Sequence, residues 1–404
     1  MKISYYSPMP PERSGIADYS ALLVPALREH VDVDVARRGK GARGDVSLYH
    51  VGNSPEAHGW ILETLRREPG VVVMHDFVLH HLVAGLTLGR KDGPAYLTAM
   101  ERDAGIAGRL LGLGVIDGCI PPLWEVRPED FPLNGEVLDR ATGLIVHSSY
   151  VEERVRERGY EGPVWHVAHP AWPAPAVEPE RIEGDPVIGA FGNMNASKRV
   201  PQLLDAFERF HSKHPAARLL LVGAAAGLDL DWRIEHEGLR NAVVREDYVG
   251  EERLWALMAG VDVVASLRSP TMGETSGTAI RALTLGKPLV VSDVGWFSEL
   301  PDDVALKAPV DERETDRLAE ALETLADPEV RATMGVAARA LADGEHDVAR
   351  VAEAYVVALE ETLGGRAVQD AVLREVSEAA AAVGIDPASD EASTLARALD
   401  EVDV

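Results

Sequence analysis

One cysteine, Cys119, is the whole thiol content of these 404 residues, so no disulfide framework can exist and a reducing compartment suits the chain. No stretch approaches about 18 uninterrupted apolar residues, so no integral membrane segment is expected. The opening "MKISYYSPMPPERSG" also lacks the long apolar centre of a signal peptide, and a cytoplasmic protein is the expectation. Basic residues are few: 40 Lys and Arg stand against 66 Asp and Glu, a formal charge of −26. Such an exterior repels nucleic acid and anionic membrane surfaces, so no nucleic-acid partner is expected. The glycine fingerprint of a dinucleotide fold with its downstream acid is missing too, which excludes a NAD-dependent oxidoreductase.

What is present is ordinary globular material, 46% apolar and 26% charged, with 36 Gly and 25 Pro to serve many short connections. The length argues for two domains of roughly 150 to 200 residues, each able to bury a core. Short β-branched runs such as "VDVDVARR", "DVSLYHVGN", "GVVVMHD" and "TGLIVHSS" alternate with helix-period segments such as "EAHGWILETLRREPG". That alternation predicts an α/β fold with a doubly wound parallel sheet. Residues 83–135 are less regular, reading as helix followed by a Pro-punctuated connection. Residues 173–184 lie in a Pro-rich, polar stretch and form the best linker. The alternation then restarts with "PVIGAFGNM", "ARLLLVGAA", "VDVVASLRSP" and "KPLVVSDVG". The expected organisation is one Rossmann-like domain over 1–172, a second over 185–365 that ends in helices, and an acidic helical tail over 366–404, divided by a turn at "GIDPAS".

Open α/β sheets bind ligands at the carboxyl ends of their strands, and four loops there carry polar chemistry. In the first, Ser14 and Gly15 precede a helix and offer unobstructed amides to an anion. In the second, His75 closes a buried strand, ready to bond a sugar hydroxyl or to be satisfied locally by Asp76. A metal reading through Asp76, His80 and His81 is the minor alternative there, since i and i+4 share a helix face. In the third, Lys198 and Arg199 stand at a helix N-terminus, where adjacent cations can clamp a diphosphate or simply face solvent. In the fourth, "RSPTMGETSGTAIRALTLG", the amides around Thr275, Ser276, Gly277 and Thr278 open a helix and can cradle phosphate. Glu274, held just outside, accepts hydrogen bonds from hydroxyls. Arg281 lies on the same helix two turns deeper, pointing into the cleft or pairing with Asp293 or Glu299.

"PPERSGIADYS", "VVVMHDFVLHHL", "GLIVHSSYV", "FGNMNASKR", "LLLVG" and "GETSGTAIRALTLGKPLVVSDVG" fall in the order of the landmarks of the retaining GT-B glycosyltransferases of family GT4, and over residues 1 to about 365 the chain resembles that family. The last segment, with Gly286, Pro288 and Asp293, is the most specific. The resemblance implies two Rossmann-like domains facing a central cleft, the first on the acceptor side and the second binding a nucleotide sugar. It implies transfer of the sugar to a carbohydrate, lipid-linked or small-molecule acceptor with retained configuration and no obligatory metal or other cofactor. It further implies that Gly15 approaches the diphosphate, His75 contacts the donor sugar, Lys198 stabilises the leaving group and Glu274 binds sugar hydroxyls. Two positions depart from the family pattern. Asn193 stands where an Arg is usual, leaving Arg199 or Arg268 to supply that charge, and Arg281 stands where a ribose-binding Glu is usual. A noncatalytic sugar-nucleotide or carbohydrate binding subunit is the alternative that these departures keep open.

Overall fold

The computed structural model describes residues 1–400 apart from 13, 226, 365, 387 and 388. Its frame is a pair of six-stranded sheets, parallel throughout. The first runs β2-β1-β3-β4-β5-β6, from β1 (Lys2–Tyr6), β2 (Asp32–Val35), β3 (Val46–Val51), β4 (Gly70–Met74), β5 (Ala141–Val146) and β6 (Val164–His166). The second runs β12-β11-β10-β7-β8-β9, from β7 (Val187–Phe191), β8 (Arg218–Val222), β9 (Val243–Glu246), β10 (Val263–Ser266), β11 (Leu289–Ser292) and β12 (Ala305–Ala308). Runs such as Val71–Val72–Val73 and Leu219–Leu220–Leu221 are apolar without alternation because helices cover both faces of each sheet, and every one of these residues is buried.

The irregular region resolves into the helix Gly93–Ile116, broken at Ala104 and Gly105, followed by short turns around Pro128. Gly105 takes φ +61, a left-handed conformation that costs glycine nothing and ends one helical run before the next begins. Residues 167–182, which overlap the Pro-rich stretch 173–184, carry no regular structure.

The helix Val348–Gly364 does not stay with the second domain, where the sequence division at 365 puts it. It crosses back and buries Val351, Ala352, Tyr355, Ala358 and Leu359 against Ile3, Tyr5, Tyr19 and Leu23 of the first. Helical periodicity reveals that a face is buried but not which sheet it meets. The Tyr19 and Tyr355 hydroxyls bond at 2.6 Å, and each large apolar side chain so buried contributes about 1.5–3 kcal/mol. The tail forms helices Arg366–Ala382 and Asp390–Asp400, the first lying against Val348–Gly364 and β5. Of the expected turn, residues 387 and 388 lie outside the described residues, as do 401–404 at the tail's end.

The domains meet directly across the cleft. The Val78 amide donates to the Met272 carbonyl at 2.9 Å, and a Cβ at Gly273 would sit 2.6 Å from that of Phe77, so only glycine lets the two loops approach this closely. Glu299 of the second domain accepts the amides of Ser149 and Tyr150 at 3.0 and 2.6 Å, occupying the N-terminus of the first-domain helix Ser149–Glu157. Because Glu299 is exposed, this clasp contributes about 1 kcal/mol. Glu299→Ala is expected to shift the ligand-free protein toward an open arrangement, increasing the radius of gyration in small-angle scattering while both cores melt as before. An unchanged scattering curve would show that the clasp does not hold the domains.

Candidate active site

Between the sheets' carboxyl edges lies a cavity of about 400 Å³, to which both domains contribute. From the first domain, β1 feeds a loop in which Ser14 is extended and its hydroxyl accepts the Ile16 amide at 3.2 Å, starting the helix Gly15–Leu27. No atom lies within 4 Å of where a Gly15 side chain would begin, so the helix N-terminus faces open space.

The neighbouring strands β3, β4, β5 and β6 each bring a histidine to this edge: His50, His75, His147 and His169. His75 pairs with His50, Nε2 to Nδ1 at 2.9 Å, and not with Asp76. Asp76 instead accepts the Asn53 amide at 2.8 Å. Burial, reinforced by the neighbouring imidazoles, holds His50, His75 and His169 well below the ordinary histidine range; burial takes His147 to about 4. The adjoining His58 donates from Nδ1 to the His50 carbonyl at 3.1 Å and is also lowered to about 4, by burial. His80 is buried between the Phe131 carbonyl and the Tyr96 hydroxyl, 2.8 Å from each, and His81 bonds the Asn53 carbonyl. Among the described residues no group of three His, Cys, Asp or Glu converges as a metal site.

From the second domain, Glu274 pairs with Arg268 at 2.5 Å and accepts the Met272 amide at 2.7 Å. Behind it stands Lys198, whose ammonium is lowered to about 7 by burial and by the nearby Arg268. Asp76 faces this group from the first domain and is raised to about 7 by burial and by the Glu274 charge. Ser276 caps the helix Gly277–Thr284 by accepting the Ala279 amide, while the buried Thr275 hydroxyl has no partner and lines the cavity.

Arg281 sits over Trp172, its Cζ 3.8 Å from the ring centre, with Asp18 and Glu251 at 3.7 and 3.8 Å. Asp293 and Glu299 are not its partners; Glu299 serves the clasp.

Of the residues singled out by sequence, Ser14, Gly15, His75, Glu274, Thr275, Gly277 and Arg281 line the cavity. Lys198 and Arg268 stand behind Glu274, Thr278 is half-buried on the same helix, and Asn193 is exposed. Arg199 turns away: its guanidinium grips the buried Glu314 through Nε and Nη2, so the charge beside Glu274 comes from Arg268.

Residues 185–327 match the family model Glycosyl transferases group 1. Its second domain is thus similar to the group 1 glycosyltransferases. Its fold is GT-B, similar to that of Anabaena HepE, solved with UDP and glucose, at a TM-score of 0.57 and 15% identity over 89% of this chain and 100% of that one. Sucrose-phosphate synthase from Thermosynechococcus elongatus aligns at 0.57 and 17%, over 89% and 98%. The chain spans 46% of S. aureus TarM, which aligns over 58% of this chain at 15% identity and a TM-score of 0.47. No curated protein matches it in sequence. Among the described residues no helix is long and apolar enough to cross a membrane.

Sequence reasoning singled out His75 but missed His147, His169, Tyr19 and Trp172, which share its cavity. A signal existed: "YHV", "MHD", "VHSS" and "VAHP" each place a histidine in or just after a strand.

Holding these rings neutral makes the fold acid-sensitive. The unfolded chain protonates His58 and His147 near the ordinary 6.5, the folded protein only near 4. Their contribution to stability is therefore present above pH 6.5 and lost as pH falls through 4, on the order of 3 kcal/mol each. Asp76 works the other way, since its folded value of about 7 lies above its ordinary 3.8 and its protonation favours the folded state as pH falls. Melting temperature is expected to drop between pH 7 and 4.5, less steeply in His58→Gln; parallel curves for the two proteins would contradict the assignment.

Proposed function

We propose that the protein is a nucleotide-sugar-dependent transferase that moves a sugar from a nucleoside diphosphate to an acceptor hydroxyl with retained anomeric configuration, without a metal ion. The observation that carries this reading is the pairing of two helix N-termini, at Gly15 and Gly277, across one cavity with the Lys198–Arg268–Glu274 group beside it. Helix N-termini attract a diphosphate, and the cations beside them stabilise the charge it gains on leaving.

In the reaction the bond from the anomeric carbon to the phosphate oxygen breaks with its electron pair going to the diphosphate. The acceptor oxygen bonds the same carbon from the same face, and its proton passes to a leaving phosphate oxygen. Glu274, already ionically fixed by Arg268, accepts hydroxyls of the sugar, and His75 meets the sugar from the first domain. Arg281 cannot accept the hydrogen bonds of a ribose, so it faces the nucleotide as a donor and as a cation.

The test is calorimetry with UDP, GDP, ADP and dTDP and their sugars, with and without EDTA. One nucleotide is expected to bind selectively and independently of metal; no binding at millimolar concentration would favour a noncatalytic subunit. Lys198→Ala and Glu274→Ala are each expected to lower kcat by about 10²–10³ with the fold intact, and wild-type rates in both would reject the site.

Lys198 and Asp76 both titrate near 7 in the free protein, and a bound diphosphate raises both values. Nucleotide binding at pH 8 should therefore take up protons, seen as a buffer-dependent enthalpy, and affinity should fall from pH 7 to 9. Proton release on binding would contradict this.

A further inference from the structure

The histidine-lined end of the cavity is not used by the chemistry above beyond His75. His147 and His169 are 4% and 6% exposed, and both line the cavity. In each, the backbone dictates the tautomer: His147 Nδ1 faces the Val167 carbonyl at 2.7 Å and His169 Nδ1 faces the Pro170 carbonyl at 2.8 Å. A carbonyl only accepts, so Nδ1 carries the proton and Nε2 is left as a lone-pair acceptor. His147 Nε2 is buried and has no partner, which marks it as a polar atom whose hydrogen-bond donor comes from elsewhere.

The surroundings narrow what that donor can be. Tyr19 meets the rings of His75 and His169 edge-on at 4.7 Å, and Trp172 lies 5.4 Å from His169, giving the recess aromatic walls suited to the C–H faces of a sugar ring. An anionic substituent would face acceptor lone pairs with the Asp76 carboxyl close by. A cationic substituent would meet Arg281, whose charge already opposes protonation of His169. Neutral hydroxyls satisfy the site on every side.

We infer that this end of the cavity is the acceptor subsite and takes an uncharged, hydroxyl-rich acceptor, a neutral sugar or polyol, whose hydroxyls donate to Nε2 of His147 and His169. The inference rests on the glycosyl-transfer reading. His147 and His169 act as positioning and specificity residues for the acceptor and leave the donor to Glu274 and the helix N-termini.

The experiment uses the full chain loaded with UDP-glucose, or with whichever of GDP-, ADP- and dTDP-glucose binds, so that the donor sugar's own place is filled. Methyl α-glucoside, glucose 6-phosphate, glucuronate and glucosamine are then titrated and followed by saturation-transfer NMR. The neutral glycoside is expected to bind at least tenfold more tightly than each charged sugar. His147→Asn and His169→Asn keep a donor for the backbone carbonyl while deleting the outer acceptor. Each is expected to weaken the glycoside at least tenfold and to change nucleotide-sugar affinity less than twofold, with His169→Phe as a second variant should an Asn variant melt early. Equal or tighter binding of a charged sugar, no binding of the glycoside, or glycoside binding indifferent to the substitutions would each overturn the inference. Failure of every nucleotide sugar to bind, read first and without acceptor, would instead remove the transferase reading on which the subsite stands.

Discussion

Desolvation at the seam between two sheets governs this molecule. Both parallel sheets turn their carboxyl edges toward the same cleft, and the loops on those edges carry several strongly perturbed ionisable groups. Water is largely removed from them, so imidazoles stay neutral, a lysine gives up its proton more readily and an aspartate holds on to one. In the function proposed above, a diphosphate arriving there finds amides and cations already oriented.

The two halves of the seam differ in kind. On the second-domain side the groups are charged and tied together: Arg268 holds Glu274, and Lys198 feels both. On the first-domain side, Asp76 apart, they are polar but uncharged, a row of histidines braced by backbone carbonyls and by Tyr19. The proposed transfer needs this division, since charge develops on the leaving diphosphate while the incoming nucleophile is a neutral hydroxyl. Arg281 stands at the boundary, over Trp172 and flanked by carboxylates from both domains, so its position depends on the domains being together.

That togetherness is built in twice. The Glu299 clasp and the Gly273–Phe77 approach join the domains across the cleft, and the helix Val348–Gly364 joins them through the far side by packing its Tyr355 face into the first core. The His346 imidazole donates to the His169 carbonyl at 2.7 Å, linking this crossing helix's approach to the histidine row itself. The first contacts are small. The second buries large apolar side chains in the first core.

Much of this was legible in residues alone. Unbroken apolar runs separated by helix-period segments determined two parallel sheets, because only strands covered on both faces read that way. The glycines and hydroxyls before Ile16 and Ala279 determined two helix N-termini at strand ends, and the composition determined a surface hostile to nucleic acid. Tertiary structure alone decided the rest. Whether Arg199 served the cleft or Glu314, whether Arg281 met Asp293 or Asp18, and whether residues 348–364 belonged to the second core or the first all depend on distances between segments far apart in the chain. Periodicity records that a side is buried and a charge is present. It does not record the partner, and here the partner determines whether a histidine is core, ligand or both.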